Sequence, residues 1–151
     1  MTDVYDRIRD TEDGLSDALS LVGRRVSNGR SVEVTLEEVA EALSGEIATV
    51  FERAARRQRR LSVGVRRAFL GRNGALADVP SVRVRRGTAF LGYAASEGEP
   101  AGPAILALAN HVDELGRIEA ETRHELRAVC GALWSTGALF GPLVAGATVA
   151  L

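Results

Sequence analysis

The sequence predicts an all-α protein: an antiparallel bundle of about six helices whose last helix is long and continues into a C-terminal apolar, membrane segment. Three observations predict it. Apolar residues recur at steps of three and four through successive segments punctuated by Gly, Pro and Asn. Ala, Arg and Leu, all good helix formers, are the three commonest residues, and only seven of the 151 residues are Phe, Trp or Tyr. Residues 128–151 carry no charge over 24 positions, and a helix needs about 20 mostly apolar residues to cross a bilayer core of roughly 30 Å.

Residues 1–12 alternate acids with Arg and lack an apolar run, so they are expected to form a tail and not a signal peptide. The first helix is expected over 13–26, with Leu15, Leu19, Val22 and Val26 on one face, Asp13 or Ser16 as its cap and Asn28-Gly29 ending it. Thr35-x-x-Glu38 reads as a capping box opening a second helix, in which Leu36, Val39 and Leu43 face inward. A third helix over 46–60 buries Ile47, Val50, Phe51 and Ala54, and its closing Arg residues suit the negative end of the helix dipole.

A short fourth helix over 61–70 presents Leu61, Val65, Ala68 and Phe69, and Gly71, Asn73 and Gly74 form the loop after it. Ser81 caps a fifth helix reaching about residue 96, with Val82, Val84, Phe90, Leu91 and Tyr93 in apolar contact. The alternation Val82-Arg83-Val84-Arg85 leaves a short strand open there. Two Gly and two Pro within 97–103 make a turn, and Pro103 suits the first position of the last helix. Ile105, Leu108, Val112 and Leu115 continue its apolar face. A helix from Pro103 to Pro142 reaches roughly 58 Å at 1.5 Å per residue.

The chain thus divides into a tail, 1–12, a cytoplasmic helical domain, 13–127, and a transmembrane segment, 128–151. Arg117, Arg123 and Arg127 just before the span fit the positive-inside tendency. Gly137, Gly141 and Ala145 follow at intervals of four, a small-residue face suited to close helix packing in a membrane. The chain stops inside the apolar run with no anchoring residue beyond it, so the span is expected to be truncated. Six Ala and four Gly dilute the run. The competing reading makes 128–140 a core helix broken at Pro142, with 143–151 a buried strand or second helix in a soluble adaptor or regulator.

Little here points to catalysis. His111 and His124 fall on different helix faces with no ligand partner four residues on, and Cys130 is the only cysteine, too few for a cysteine zinc site. No Gly-x-Ser-x-Gly elbow occurs, and the absence of lysine excludes a Walker-type phosphate loop. No catalytic residue, cofactor or metal is expected.

The formal charge of −1 conceals segregation: −6 over residues 1–46, +9 over 47–90 and −4 over 91–151. Arg53, Arg56, Arg57, Arg59, Arg60, Arg66 and Arg67 in the basic block are the candidate partner-binding residues. A solvated, salt-bridged face, an acidic protein surface and anionic lipid headgroups all remain open for them. Nucleic acid is not expected, because aromatic side chains for base stacking are nearly missing from the block.

The segments Asp17-Ala-Leu-Ser-Leu-Val-Gly-Arg-Arg-Val-Ser-Asn-Gly29, Ala94-Ala-Ser-Glu-Gly-Glu-Pro-Ala-Gly-Pro-Ala-Ile-Leu-Ala-Leu-Ala109 and Ser135-Thr-Gly-Ala-Leu-Phe-Gly-Pro-Leu-Val-Ala-Gly146, in this order, resemble a type II secretion system F domain of the archaeal pilus and archaellum platform type. The resemblance covers about residues 13–151. It implies an inner-membrane platform protein with a cytoplasmic bundle of about six helices, contacting a hexameric motor ATPase and other platform subunits. Membrane lipid and a homo-oligomer are further partners it admits. The family's Gly-Glu-x-x-Gly turn matches Gly98, Glu99 and Gly102, with a structural role between two helices. Family members usually have several spans and often two such domains, whereas this chain offers one of each.

Overall fold

The computed structural model describes the backbone of residues 2–97 and 101–150, and the side chains of residues 3–97 and 101–133. Gly98 and Glu99 of the expected turn lie outside the described residues, as do the side chains of Gly137, Gly141 and Ala145 and most of the apolar run. The described residues are all-helical, without strands. Six helices follow in order: α1 (Thr2–Ser27), α2 (Val32–Ala42), α3 (Gly45–Leu61), α4 (Val65–Leu70), α5 (Val82–Glu97) and α6 (Gly102–Ala150). They divide into two compact units, Met1–Asp113 and Glu114–Leu151. Among the described residues no helix is long and apolar enough to cross a membrane.

Helix α1 corrects the expected tail, because it is helical from Thr2. The buried stripe of Leu15, Ala18, Leu19 and Val22 extends backward through Thr11 and half-buried Ile8. Thr11 accommodates burial by donating its hydroxyl to the Arg7 carbonyl at 2.6 Å. Polar contacts hold the outer turns: Arg7 pairs with Glu46 and Asp78, and the Asp10 carboxylate accepts the Glu46 amide at 2.8 Å. Asp10 therefore caps α3, whose adjoining Ser44 makes no side-chain cap bond.

The expected capping box at Thr35 is not formed. Helix α2 starts at Val32, where its buried apolar stripe of Val32, Leu36 and Val39 starts, and the Ser31 hydroxyl accepts the Val34 amide at 3.4 Å. Thr35 is buried inside the helix and donates to the Val32 carbonyl. Glu38 turns outward to Arg25, at 2.7 Å, and Arg30, at 3.2 Å, tying α2 to the end of α1.

Helix α3 buries Ile47, Val50, Phe51, Ala54 and Ala55 and stops at Ser62, which takes a left-handed conformation with φ 49°. That interruption sets Leu61 apart from α4 and leaves it exposed, so the fourth helix is shorter than expected. Phe69 on α4 meets Phe51 edge to face, ring centroids 5.2 Å apart. The following loop is a plug as much as a connection. Ala75, Leu76 and Val79 are buried, and the amides of Ala75 and Leu76 reach the carbonyls of Ala68 and Phe69.

Helix α5 resolves the strand alternative in favour of a helix. Ser81 caps it by accepting the Val84 amide at 3.3 Å and donates to Glu12 of α1. Helical spacing turns Val84, Thr88 and Leu91 inward, which puts Val82 and Tyr93 on the opposite face, both exposed instead of in the expected apolar contact. Helix α6 buries Ile105, Ala109 and Val112, while Leu115 is largely exposed. Its first residue, Gly102, lies against the end of α1. A Cβ there would sit 2.6 Å from the amide nitrogen and 2.8 Å from the Cα of Ser27.

Gly102→Ala is accordingly expected to destabilise the protein by about 1–3 kcal/mol, since backbone must shift to admit the methyl. Gly116→Ala, in open space on the same helix, should cause no loss. Urea unfolding of both variants checks this, and equal stability for Gly102→Ala and the parent chain contradicts it.

Candidate functional site

The chain's densest charge is the Arg series that closes α3 and continues through α4 into α5. Apolar burial on one side of α3, from Ile47 to Ala55, forces Arg53, Arg56, Arg59 and Arg60 to the exposed side. Three of these four are already engaged. Arg53 binds both carboxylate oxygens of Asp78 at 3.2 Å, Arg56 pairs with Glu52 one turn earlier, and Arg59 reaches Glu37 of α2 at 2.8 Å. Arg57 is half-buried, and its Nε is buried without a hydrogen-bond partner among the described residues.

Arg60, Arg66 and Arg67 are exposed and form no ion pair among the described residues. Arg72 in the following loop and Arg86 on α5 share that condition. Of the expected partner-binding residues, then, the fold neutralises Arg53, Arg56 and Arg59 locally and leaves Arg60, Arg66 and Arg67 to solvent.

Arg66 also borders a groove between α4 and α5, about 340 Å³, lined by Glu33, Gly64, Val65, Ala89 and Tyr93 among others. The two helices approach closely here because Gly92 faces the Arg66 backbone: a Cβ on Gly92 would sit 2.8 Å from the Arg66 Cα. The groove combines a cation, an exposed aromatic ring and an apolar floor, which are the residue types enriched at protein interfaces. Tyr93 is the feature missed in the sequence, where its place in a helix rich in apolar residues suggested burial. Counting helical turns from Val84 would have placed it outside.

Asp78 links the basic block to α1. Partial burial pushes its carboxyl up, but the Arg53 hydrogen bond, a backbone hydrogen bond and the charges of Arg53 and Arg7 outweigh this and hold it below its ordinary value of 3.8. His111 and His124 are both exposed, and the described residues contain no group of three or more His, Cys, Asp or Glu able to hold a metal ion. A polar groove of about 450 Å³ beside α1 is lined by Asp10, Asp13, Asp17 and Arg24. Compared with family models, curated proteins and solved structures, the chain matches none.

A carboxyl whose folded value is depressed contributes stability above its unfolded value and loses it as pH falls through the folded one. Asp78→Asn should therefore lower stability by less than about 1 kcal/mol at neutral pH, its side chain being half exposed. The gap from the parent chain should narrow as pH falls below about 3.8 and close below the lowered folded value. Chemical denaturation of both proteins along a pH series measures this, and a gap that persists in acid overturns the assignment.

Proposed function

We propose that this chain is a non-catalytic assembly platform of a type II secretion, type IV pilus or archaellum-like machine, held in the inner membrane by residues 128–151 with its helical domain on the cytoplasmic side. The observation that carries the reading is the uncharged run of 24 residues at the end of a helical domain whose last helix is assigned from Gly102 to Ala150. The order of the three sequence segments that resemble the secretion F domain supports it, as does the six-helix count. Arg60, Arg66 and Arg67 are the surface we assign to the motor ATPase, with Tyr93 in the adjoining groove as its apolar anchor. Their cations are exposed and unpaired by described residues, so a partner's carboxylates would not have to displace internal ones. Other platform subunits and anionic lipid complete the expected surroundings.

Two measurements test this. Full-length protein should sediment with membranes and require detergent for release; a detergent-free, monomeric supernatant instead establishes the soluble adaptor with a covered apolar C-terminus. At the proposed surface, each exposed charge contact contributes about 0.2–1 kcal/mol, so replacing Arg60, Arg66 and Arg67 together with Gln should weaken capture of the motor ATPase on the order of tenfold. Arg56→Gln with Arg59→Gln, which removes cations already paired internally, should change capture much less. Equal losses from the two sets contradict the assignment.

A further inference from the structure

The groove between α4 and α5 exists because small residues line it. Gly64, Ala89, Gly92 and Ala95 put nothing larger than a methyl group into a space of about 340 Å³, and buried Val65 adds to its apolar floor. The helices cannot part without losing the contact of Gly92 with the Arg66 backbone, where no Cβ fits. Tyr93 on the rim keeps 60% of its surface, so an aromatic ring stands beside the opening. A small ligand needs most of its surface enclosed, which an open groove does not supply. A polypeptide segment crossing the groove has to seat only one side chain.

Charges around this groove select the segment. At about 100° per residue, Arg86, Ala89, Tyr93 and Ser96 fall within about 80° of one another on α5. Arg86 thus extends the groove's face two turns ahead of Tyr93, about 10 Å along the axis at 1.5 Å per residue. Arg66 stands on the α4 side. Both guanidinium groups are exposed and form no ion pair among the described residues. Glu33 of α2 is the one carboxylate in the lining. Two unopposed cations and one acid beside an apolar floor favour an acidic partner over a basic one. An anionic lipid headgroup would satisfy the cations but leave the floor and Tyr93 without an apolar counterpart.

We propose that the α4–α5 groove receives one aromatic or large aliphatic side chain from an acidic protein segment, whose carboxylates pair with Arg66 and Arg86. Tyr93 packs on the inserted side chain, and Glu33 repels any carboxylate placed next to it. The inference rests on the assignment of this surface to a partner and is indifferent to that partner's identity. A detergent-free supernatant, or failure to capture the motor ATPase, defeats the platform reading and leaves the outcome below unaffected.

Selection of random dodecapeptides by phage display on the full-length chain in non-ionic detergent tests it. The enriched sequences should carry Asp or Glu on either side of a single large apolar residue. Bound to the labelled consensus peptide and followed by fluorescence anisotropy, Arg66→Gln should weaken binding about two- to fivefold, and Glu33→Gln should tighten it by a similar factor. Ala89→Leu and Ser96→Leu, which fill the groove without changing charge, should each weaken it about tenfold. Ser96 is exposed, so its variant serves even if Ala89→Leu loses helical circular dichroism. No enrichment, a neutral or basic consensus, or parental affinity in Ser96→Leu overturns the proposal. So do shifts of Arg66→Gln and Glu33→Gln in the same direction. Phosphatidylserine vesicles that bind the parent chain but not Arg66→Gln, without any peptide enrichment, assign the cations to lipid and overturn it as well.

Discussion

The first unit depends on the apolar seam of α1. Leu15, Ala18, Leu19 and Val22 are fully buried, and α2, α3 and α5 all pack on that helix. The start of α6 joins it through Leu106, which lies over Gly23, and through Gly102 at Ser27. Only α4 reaches the core at second hand, through α3 and α5, where the Phe51 and Phe69 rings meet. A seam serving four neighbours has to keep its width constant. Truncating any of its leucines would open a cavity that several helices border at once, at a cost of about 2–5 kcal/mol.

Burial was legible in the sequence wherever side chains decide it by spacing. Ile47, Val50 and Phe51, or Leu15, Leu19 and Val22, announce their helix faces because 3.6 residues make a turn whatever the rest of the chain does. Helix ends were less legible, since caps are satisfied by whichever group arrives. Thr35 carried the local signature of a start, yet Val32 had a core position to fill, so the helix began earlier under Ser31. The cap of α3 comes from Asp10, 36 positions away, a distance at which no local pattern operates. The opening turns of α1 looked like a tail for the same reason: Arg7 and Asp10 are fixed by partners on other elements, not by neighbours in sequence.

Electrostatics shows the same division more sharply. A formal +9 over residues 47–90 suggests a strongly basic face, and its acidic flanks suggest the means of neutralising it. Folding carries out part of that neutralisation. Glu37 comes from α2 to Arg59, Asp78 from the loop to Arg53, and Glu12 from α1 to Arg83. Exposed pairs of this kind each contribute little to stability. Their larger consequence is to leave Arg60, Arg66 and Arg67 as exposed cations without an ion pair among the described residues. The existence of a basic block could be read from the chain, and the choice of Arg60, Arg66 and Arg67 within it could not.

The second unit obeys a different constraint. A helix in a bundle is stabilised chiefly by the face it buries, and isolated helices shorter than about 12–15 residues are marginal in water even with favourable sequences. Residues 117–133 have every described side chain exposed, so little of their helical stability comes from packing against the described residues. Propensity helps through Ala, Leu, Glu and Arg, but β-branched Val129 and Gly131 work against it. The two halves of this stretch differ in composition. Residues 117–127 mix apolar side chains with acidic and basic ones. After Arg127 charge disappears altogether, and small and apolar residues make up most of the run. Composition therefore changes along this stretch, from residues that mix apolar, acidic and basic side chains to a run without charge.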